Sequence, residues 1–489
     1  MDRWIPVRRI DGTRALIAPH EVADPQISAP DWPRADLNLA CYEFLIGMVF
    51  MVAPPSDLRD WARNRPGQAA LKDRLSAFAS AFELMGDGPR FLQDIEPLPG
   101  APNPPDMLFI DSSGGNTIKN NADVMVHRNR YDVLELPLAA MALYAFQQFA
   151  PAGGAGNRTS MRGGGPLVTL IDPGTGLWDL VWANVPYGSA ASVHDLPWMR
   201  PTRTSETAQA VHPEHAHSVE AFFGMPRRLH LVGDDVVEGV IQRPYGTNYA
   251  LWTHPTTPYY RIKAGAELLP RHPSGGRLPY RNWAGIILSD PSQEEGGLRL
   301  RAACIRNCFN RFENQAHRMI AAGWAMDNMK PKDFLWAELP LLPLDTDAQT
   351  RAAQLIEAAS LVASGLRQHL QILLAEGSAR EAELDQLWSA TEGDFSAALS
   401  GLAIEGHDAA AISHRFVRAI GAQALRQFQA HALPGMVDNS IKKAGAIVAA
   451  HRHLQALVLG RSKAGQKLWT AAGLQPPVSR KSTKQEVEV

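Results

Sequence analysis

Cysteine is scarce in this 489-residue sequence: Cys41, Cys304 and Cys308 are the only three. That is too few for a disulfide framework and fits a reducing cytoplasm. Cys304 and Cys308 lack a second pair to complete a zinc site, so they read as core residues. Net charge is scarce too, at a formal −2, so nothing global announces a nucleic acid or a membrane as partner. Long hydrophobic runs are missing. The most apolar stretch, Leu37 to Pro54, contains Asn38, Tyr42 and Glu43 and stops at a proline. A bilayer span needs about 20 apolar residues, so a buried helix is expected here. The opening "MDRWIPVRRIDGTR" is charged and shows no secretory pattern.

Local catalytic signatures are absent as well. There is no G-x-S-x-G elbow and no H-E-x-x-H, so no motif supplies an enzyme mechanism. "VHPEHAHSVE" offers His212, His215 and His217, but no Cys or further His completes a recognised spacing, and Pro213 breaks any helix that would align them. An exposed loop is expected, with no metal and no cofactor.

What is present is an ordinary globular composition, 45% hydrophobic and 20% charged, on a chain long enough for two or three domains. Up to about Leu342 the sequence mixes short strands, Pro/Gly turns and a few helices. Pro166–Asp172, Arg227–Gly233 and Tyr259–Gly265 read as strands, and Leu136–Pro151 as a helix. The β-α alternation of a doubly wound sheet is missing. From Asp345 the periodicity becomes helical, predicting four long helices that end near Gly377, Ile404, Ala432 and Trp469. The expected fold class is α+β: an irregular mixed α/β domain over 1–342, then an antiparallel four-helix bundle over 343–475. Residues 476–489 read as a polar, disordered tail.

The predicted bundle is electrically lopsided. Asp345 through Glu405 carries 10 acids and 3 bases; Gly406 through Thr470 carries 2 acids and 9 bases, among them Lys442, Lys443 and Arg452. Two readings stay open: the halves neutralise each other across helix pairs, or the basic half tracks a polyanion.

The stretch "APAGGAGNRTSMRGGGP", Ala150 to Pro166, holds six glycines, two arginines and no acid. It is not a Walker loop, since no Lys-Ser or Lys-Thr follows the glycines. A Rossmann turn runs from strand through glycines to helix, and here a helix precedes and a strand follows. The composition suits close backbone approach to a large anionic surface, with Arg158 and Arg162 pairing phosphates.

Six unusual strings occur in order ahead of the helical region: "WIPVRRIDGT", "FIDSSGGNTIKNNADVMVHR", the glycine stretch with "PLVTLI", "FFGMPRRLHL", "LWTHPTTPYY" and "GWAMDNMKPKDF". Together they make the chain resemble, over nearly its whole length, the CasA family, large subunits of the type I-E CRISPR surveillance complex Cascade. The resemblance implies a non-catalytic, cytoplasmic subunit that works with guide RNA and the other Cascade subunits. It implies recognition of the PAM in double-stranded DNA from the minor groove, promotion of R-loop formation and recruitment of a helicase-nuclease. Protein reads the PAM while base pairing reads the remaining sequence.

Carried over by position, the family's glycine loop falls on Gly153, Gly154, Ala155 and Gly156, which suits a groove roughly 6 Å wide. A basic finger falls on Arg243, where relatives can carry lysine. A wedge that helps open the duplex falls on Asp327, Asn328 and Met329, with Asn328 where some relatives place glutamine; D-N is also ordinary turn chemistry. A loop docking onto the guide RNA and the backbone subunit has its tip at Met125, Val126 and His127. Some relatives carry a cysteine cluster after the strand matched by "RRLHL"; "VGDDVVEG" stands there in this chain, so no zinc is expected. The competing class is a nucleotide-binding protein or metal-dependent hydrolase built on the glycine loop and the three histidines.

Overall fold

The computed structural model describes residues 2–121, 126–127, 130–154, 156–288, 296–312, 315–434 and 436–477. The chain divides into two compact units, Met1–Leu278 with Gln293–Leu341, and Pro279–Ser292 with Leu342–Val489.

The first unit is mixed α/β, with four small three-stranded sheets among its described residues. β1 (Ile5–Arg9) lies between β2 (Arg14–Ile17) and β3 (Ile27–Pro30). Next in the chain come β4 (Leu134–Glu135), β5 (Val168–Asp172), β6 (Arg228–Gly233) and β7 (Val236–Arg243), with β7 pairing both β4 and β6. β8 (Tyr259–Arg261) is central between β9 (Leu269–Pro270) and β10 (Leu298–Leu300). The last sheet is built on a long hairpin, β11 (His317–Asp327) and β12 (Lys330–Leu341), with β5 on the other edge of β11. Seven consecutive residues of β11 are buried, so both of its faces are covered.

Helix α1 (Ala35–Val52) forms the centre of this unit, with 16 of its 18 residues buried. Apolar residues on every face mean that neighbours must cover it all round. Phe44 meets Trp4, Phe82, Phe91, Tyr144 and Phe223 edge-on at 5.4–6.4 Å. Helix α2 (Leu136–Phe149), opened by Pro137 in its first turn, packs on α1 and runs into the glycine stretch. Cys41, Cys304 and Cys308 are buried and free, and burial pushes all three thiols up to about 12.

Among the described residues of the second unit, six α-helices stand where periodicity predicts four: α3 (Thr346–Leu370), α4 (Gly377–Ala390), α5 (Glu392–Leu402), α6 (Ala409–Ala432), α7 (Ile441–Val458) and α8 (Lys463–Ala471). Asp345 and Asp408 cap α3 and α6, their carboxylates accepting from the Ala348 and Ala411 amides at 2.7 and 2.9 Å. The second predicted helix breaks at Thr391. Its hydroxyl lies 2.8 Å from the Leu387 carbonyl and 2.9 Å from the Tyr280 hydroxyl. Tyr280 stacks on Phe395 at 4.3 Å, which ties segment 279–288 into this unit although it precedes the helices in sequence by some distance. The fourth breaks at Gly460, after which Ser462 starts α8 by accepting from the Gly465 amide.

Candidate nucleic-acid interface

The glycine stretch is fastened at both ends, and its six glycines do different work. Gly163, Gly164 and Gly165 serve internal packing: Cβ atoms there would run into His272, Pro151 and the Trp324 carbonyl of β11. Gly156 lies against the Tyr245 ring, and the Tyr245 amide donates to the Gly156 carbonyl at 2.9 Å. Asn157 donates from its amide to the Gly154 carbonyl and accepts from the Gly153 amide, closing a small turn. Gly154 alone among the described loop glycines combines positive φ, 65°, with nothing within 4 Å of its missing side chain. Its outer face is therefore backbone open to solvent, with no Cβ to hold a partner away. Ala155 lies outside the described residues.

The two arginines of the stretch have opposite roles. Arg158 is half-buried and donates from Nε to Ser205 Oγ at 2.8 Å, with no carboxylate partner among the described residues. Arg162 is 1% exposed and grips the fully buried Glu43 of α1 with two bonds of 2.8 Å. It also donates to Thr257 Oγ1 at 3.1 Å, while Thr256 Oγ1 donates to Glu43 at 2.5 Å. Burial opposes the charge, but Glu43 outweighs it and raises the Arg162 pKa above its ordinary value. The expectation that Arg162 pairs a phosphate is thus corrected. A guanidinium already holding a buried carboxylate, and closed off from solvent, is a strut beneath the loop.

Arg243 ends β7, and the chain passes directly from it through Pro244 to Tyr245, the residue bonded to Gly156. The structure therefore brings the glycine loop and the basic finger together. The Arg243 guanidinium packs over Gly100 with no carboxylate partner among the described residues, and its Nε finds no acceptor. At the other end of the stretch, Met326 and Trp324 of β11 pack on Gly165, so the loop also abuts the hairpin that carries the predicted wedge. Asp327 pairs Lys330 across the hairpin, leaving Asn328 and Met329 as a two-residue turn with φ of 48° and 63°. Positive φ at both central residues is the demand of a type I′ turn, normally met by Asn-Gly. Met329 is half exposed there, Asn328 donates to the Asp327 carboxylate at 3.1 Å, and Lys332 holds that carboxylate at 2.5 Å.

Met125 lies outside the described residues; Val126 is half-buried and His127 exposed. The chain flanking them is pinned by an ion cluster. Arg130 holds both oxygens of Asp111 at 2.9 Å, Arg34 joins them from the start of α1, and Tyr131 stacks on Phe109 at 4.5 Å. Burial would raise the Asp111 carboxyl, yet the two guanidinia hold it below its ordinary value.

The helical unit answers the question its charges raised. All nine bases of 406–470, Lys442, Lys443 and Arg452 included, are exposed, and none has an ion-pair partner among the described residues. Three acids of 345–405 form ion pairs, Asp385 with Arg281, Glu381 with Arg367 and Glu383 with His431. Among the described residues no Lys or Arg of the basic half makes an ion pair with the acidic half, and His431 is the one residue of 406–470 that does.

The three histidines do not converge. His212 and His215 face each other with ring centroids 5.8 Å apart, while His217 turns to Ser189. Among the described residues no group of three His, Cys, Asp or Glu could hold a metal ion. One charged residue beside the loop escaped the sequence reading: Arg227, 3% exposed and packed against Gly153. An arginine opening a strand gives no local signal of burial.

A family model supplies the remaining observation: that of CRISPR-associated protein Cse1 matches residues 1–427. The chain belongs to the Cse1 family. This is the CasA type I-E family that the six strings resemble. Among solved structures, Cse1 of Thermobifida fusca is similar with a TM-score of 0.71 at 17% identity, covering 96% of this chain and 98% of that one. CasA (Cse1) of Thermus thermophilus gives 0.70 at 19% identity, over 94% and 98%. A chain of a structure described as a CRISPR RNA-guided surveillance complex gives 0.71 at 16%, over 93% and 98%. At these identities the likeness is one of fold. No curated protein matches the chain.

Proposed function

We propose that this Cse1-family chain is the non-catalytic, PAM-reading subunit of an RNA-guided DNA surveillance complex. It works with guide RNA and the other Cascade subunits, binds double-stranded target DNA in the minor groove, and supports strand opening and the arrival of a helicase-nuclease. One observation carries the reading. Gly154 presents open backbone in a loop that is bonded to the segment following Arg243 and packed on the hairpin that ends in Asn328 and Met329. Backbone without a side chain can lie on a groove floor, where donors and acceptors distinguish A·T from G·C and admit several triplets. An arginine with no carboxylate partner suits the adjacent negative potential. A two-residue tip carrying an amide and an exposed apolar side chain can intrude on a base step. The nine exposed bases of the helical unit suit the sequence-independent phosphate contacts that give most of the affinity.

The test is co-expression of the chain with the remaining subunits of its complex and a guide RNA. The reading expects one ribonucleoprotein particle containing this chain, which binds matched duplexes according to their PAM. A chain that purifies without RNA or other subunits, or a particle indifferent to the PAM, refutes it.

A further inference from the structure

Two buried arginines serve the glycine stretch, Arg162 within it and Arg227 against Gly153, and the half-buried Arg228 follows Arg227 in sequence. Arg162 holds Glu43, and Arg228 holds Asp94 at 2.6 Å. Arg227, next to Arg228 in sequence, is 3% exposed and has no carboxylate partner among the described residues. Its guanidinium donates to the Pro151 carbonyl and lies 5.2 Å from the centroid of the Phe146 ring; its Nε finds no acceptor. Burial, with no acid to offset it, lowers its pKa to about 10, so the group stays a cation at neutral pH. A buried cation left without its anion is costly, and folded chains seldom retain one without use.

Its position supplies the use. A Cβ on Gly153 would come 2.8 Å from Arg227 Nη1, so the guanidinium sits directly against the loop backbone. One residue on, Gly154 faces open space. Asn157, which closes this turn, also has a buried Oδ1 without a donor, so the turn holds two unmet polar groups. In a dry setting a charge acts over several ångströms with little screening. An anion resting on the outer face of the loop would meet that field across a single thickness of backbone.

We propose that Arg227 is the built-in counter-charge of a phosphodiester-binding site on the loop backbone at Gly153 and Gly154, an inference that rests on reading this loop as DNA-facing. The glycines then do more than clear space: a side chain at 153 would displace the guanidinium from the loop it polarises. Arg227 is a positioning residue here. It draws a backbone phosphate onto the turn and so sets how deeply the loop seats in the groove.

The experiment compares assembled complexes carrying wild-type chain, Arg227→Gln and Arg227→Lys. Binding to one matched duplex with a correct PAM is measured across a salt series, beside the melting temperature of each isolated chain. Glutamine keeps a donor for the Pro151 carbonyl and loses the charge; Arg227→Met takes its place if that variant does not assemble. The inference expects about tenfold weaker binding for the neutral variant. The slope of log K against log salt falls by about 0.9, and the melting temperature is unchanged or higher, because an unpaired buried charge has gone. Lysine restores the slope. A neutral variant with wild-type slope and affinity overturns the inference, as does one that only melts earlier. A wild-type complex that shows no salt-dependent DNA binding removes the functional reading itself, and this inference with it.

Discussion

Replacing Glu43 with glutamine keeps size and shape but removes the carboxylate that holds Arg162. In the native chain that carboxylate accepts two guanidinium bonds of 2.8 Å and one hydroxyl bond of 2.5 Å, with both ionic side chains at 0–1% exposure. In Glu43→Gln the guanidinium stays buried with only neutral partners, Thr257 among them. Removing one member of such a pair costs about 3–5 kcal/mol, most of it the penalty of the stranded charge. Against a typical total of about 5–15 kcal/mol this is a large fraction. It corresponds to a fall of about 4–7 °C in melting temperature for a unit of this size. Arg162→Met strands Glu43 instead and should cost a similar amount. The double variant should be less damaged than the sum, giving a coupling of about 2 kcal/mol or more. The assay is urea unfolding of the isolated chain, read as a four-way cycle. A cost under about 1 kcal/mol for Glu43→Gln would refute the strut, and so would a drop in the complex's DNA salt slope with stability intact.

Acid should find the same cluster. Burial first and the Arg162 guanidinium second hold His254 well below its ordinary 6.5, so it folds neutral while the unfolded chain takes up the proton. His254 then contributes stability fully above pH 6.5, lost as pH falls below it by up to about 1.4 kcal/mol per unit. His254→Gln should flatten the fall in melting temperature between about pH 6.5 and 5, and an unchanged profile contradicts this. In the helical unit, neutralising Lys442, Lys443 and Arg452 should weaken binding to correct and incorrect PAMs alike and lower the salt slope by about 0.9 per lost phosphate contact. A slope that stays put would mean these exposed charges touch no DNA. At the hairpin tip, Asn328→Ala with Met329→Ala should slow R-loop formation more than it weakens duplex binding, and mismatches beside the PAM should rescue it. A defect that persists on such a bubble disproves the wedge.

Local patterns were legible, and pairings across long separations were not. Strands β5 and β6 fall within Pro166–Asp172 and Arg227–Gly233 because alternating or continuous apolar runs bounded by turn residues mark them. Asp-Asn in "MDNMK" announced a turn, but not the long strands on either side of it, since Gly323 interrupts the first pattern and Pro331 the second. Arg158 and Arg162 look alike in a glycine-rich stretch; only Glu43, 119 residues upstream, makes one of them a strut. Arg227 was invisible for the same reason, because its burial depends on Pro151 and Phe146. The charge imbalance of the helices could be counted, whereas the pairing of Asp385 with Arg281 and of Glu381 with Arg367 could not be read from it. The break at Thr391 likewise needed Tyr280, which arrives from outside the helical sequence.

The central claim is that the loop at Gly154 reads the groove. Nothing lies within 4 Å of the Gly154 side-chain position, so Gly154→Leu projects into solvent without an internal clash, at the modest cost of a positive φ. Arg158→Ala serves as the control for affinity without specificity, since phosphate contacts position and do not specify. The measurement is the ratio of dissociation constants, at fixed salt, for two matched duplexes that differ only in the PAM, bound by the assembled complex. Wild type should show a clear preference, Arg158→Ala the same ratio at weaker affinity, and Gly154→Leu a ratio collapsed toward one. A preference that survives leucine at 154, in a complex intact by size, would contradict the account.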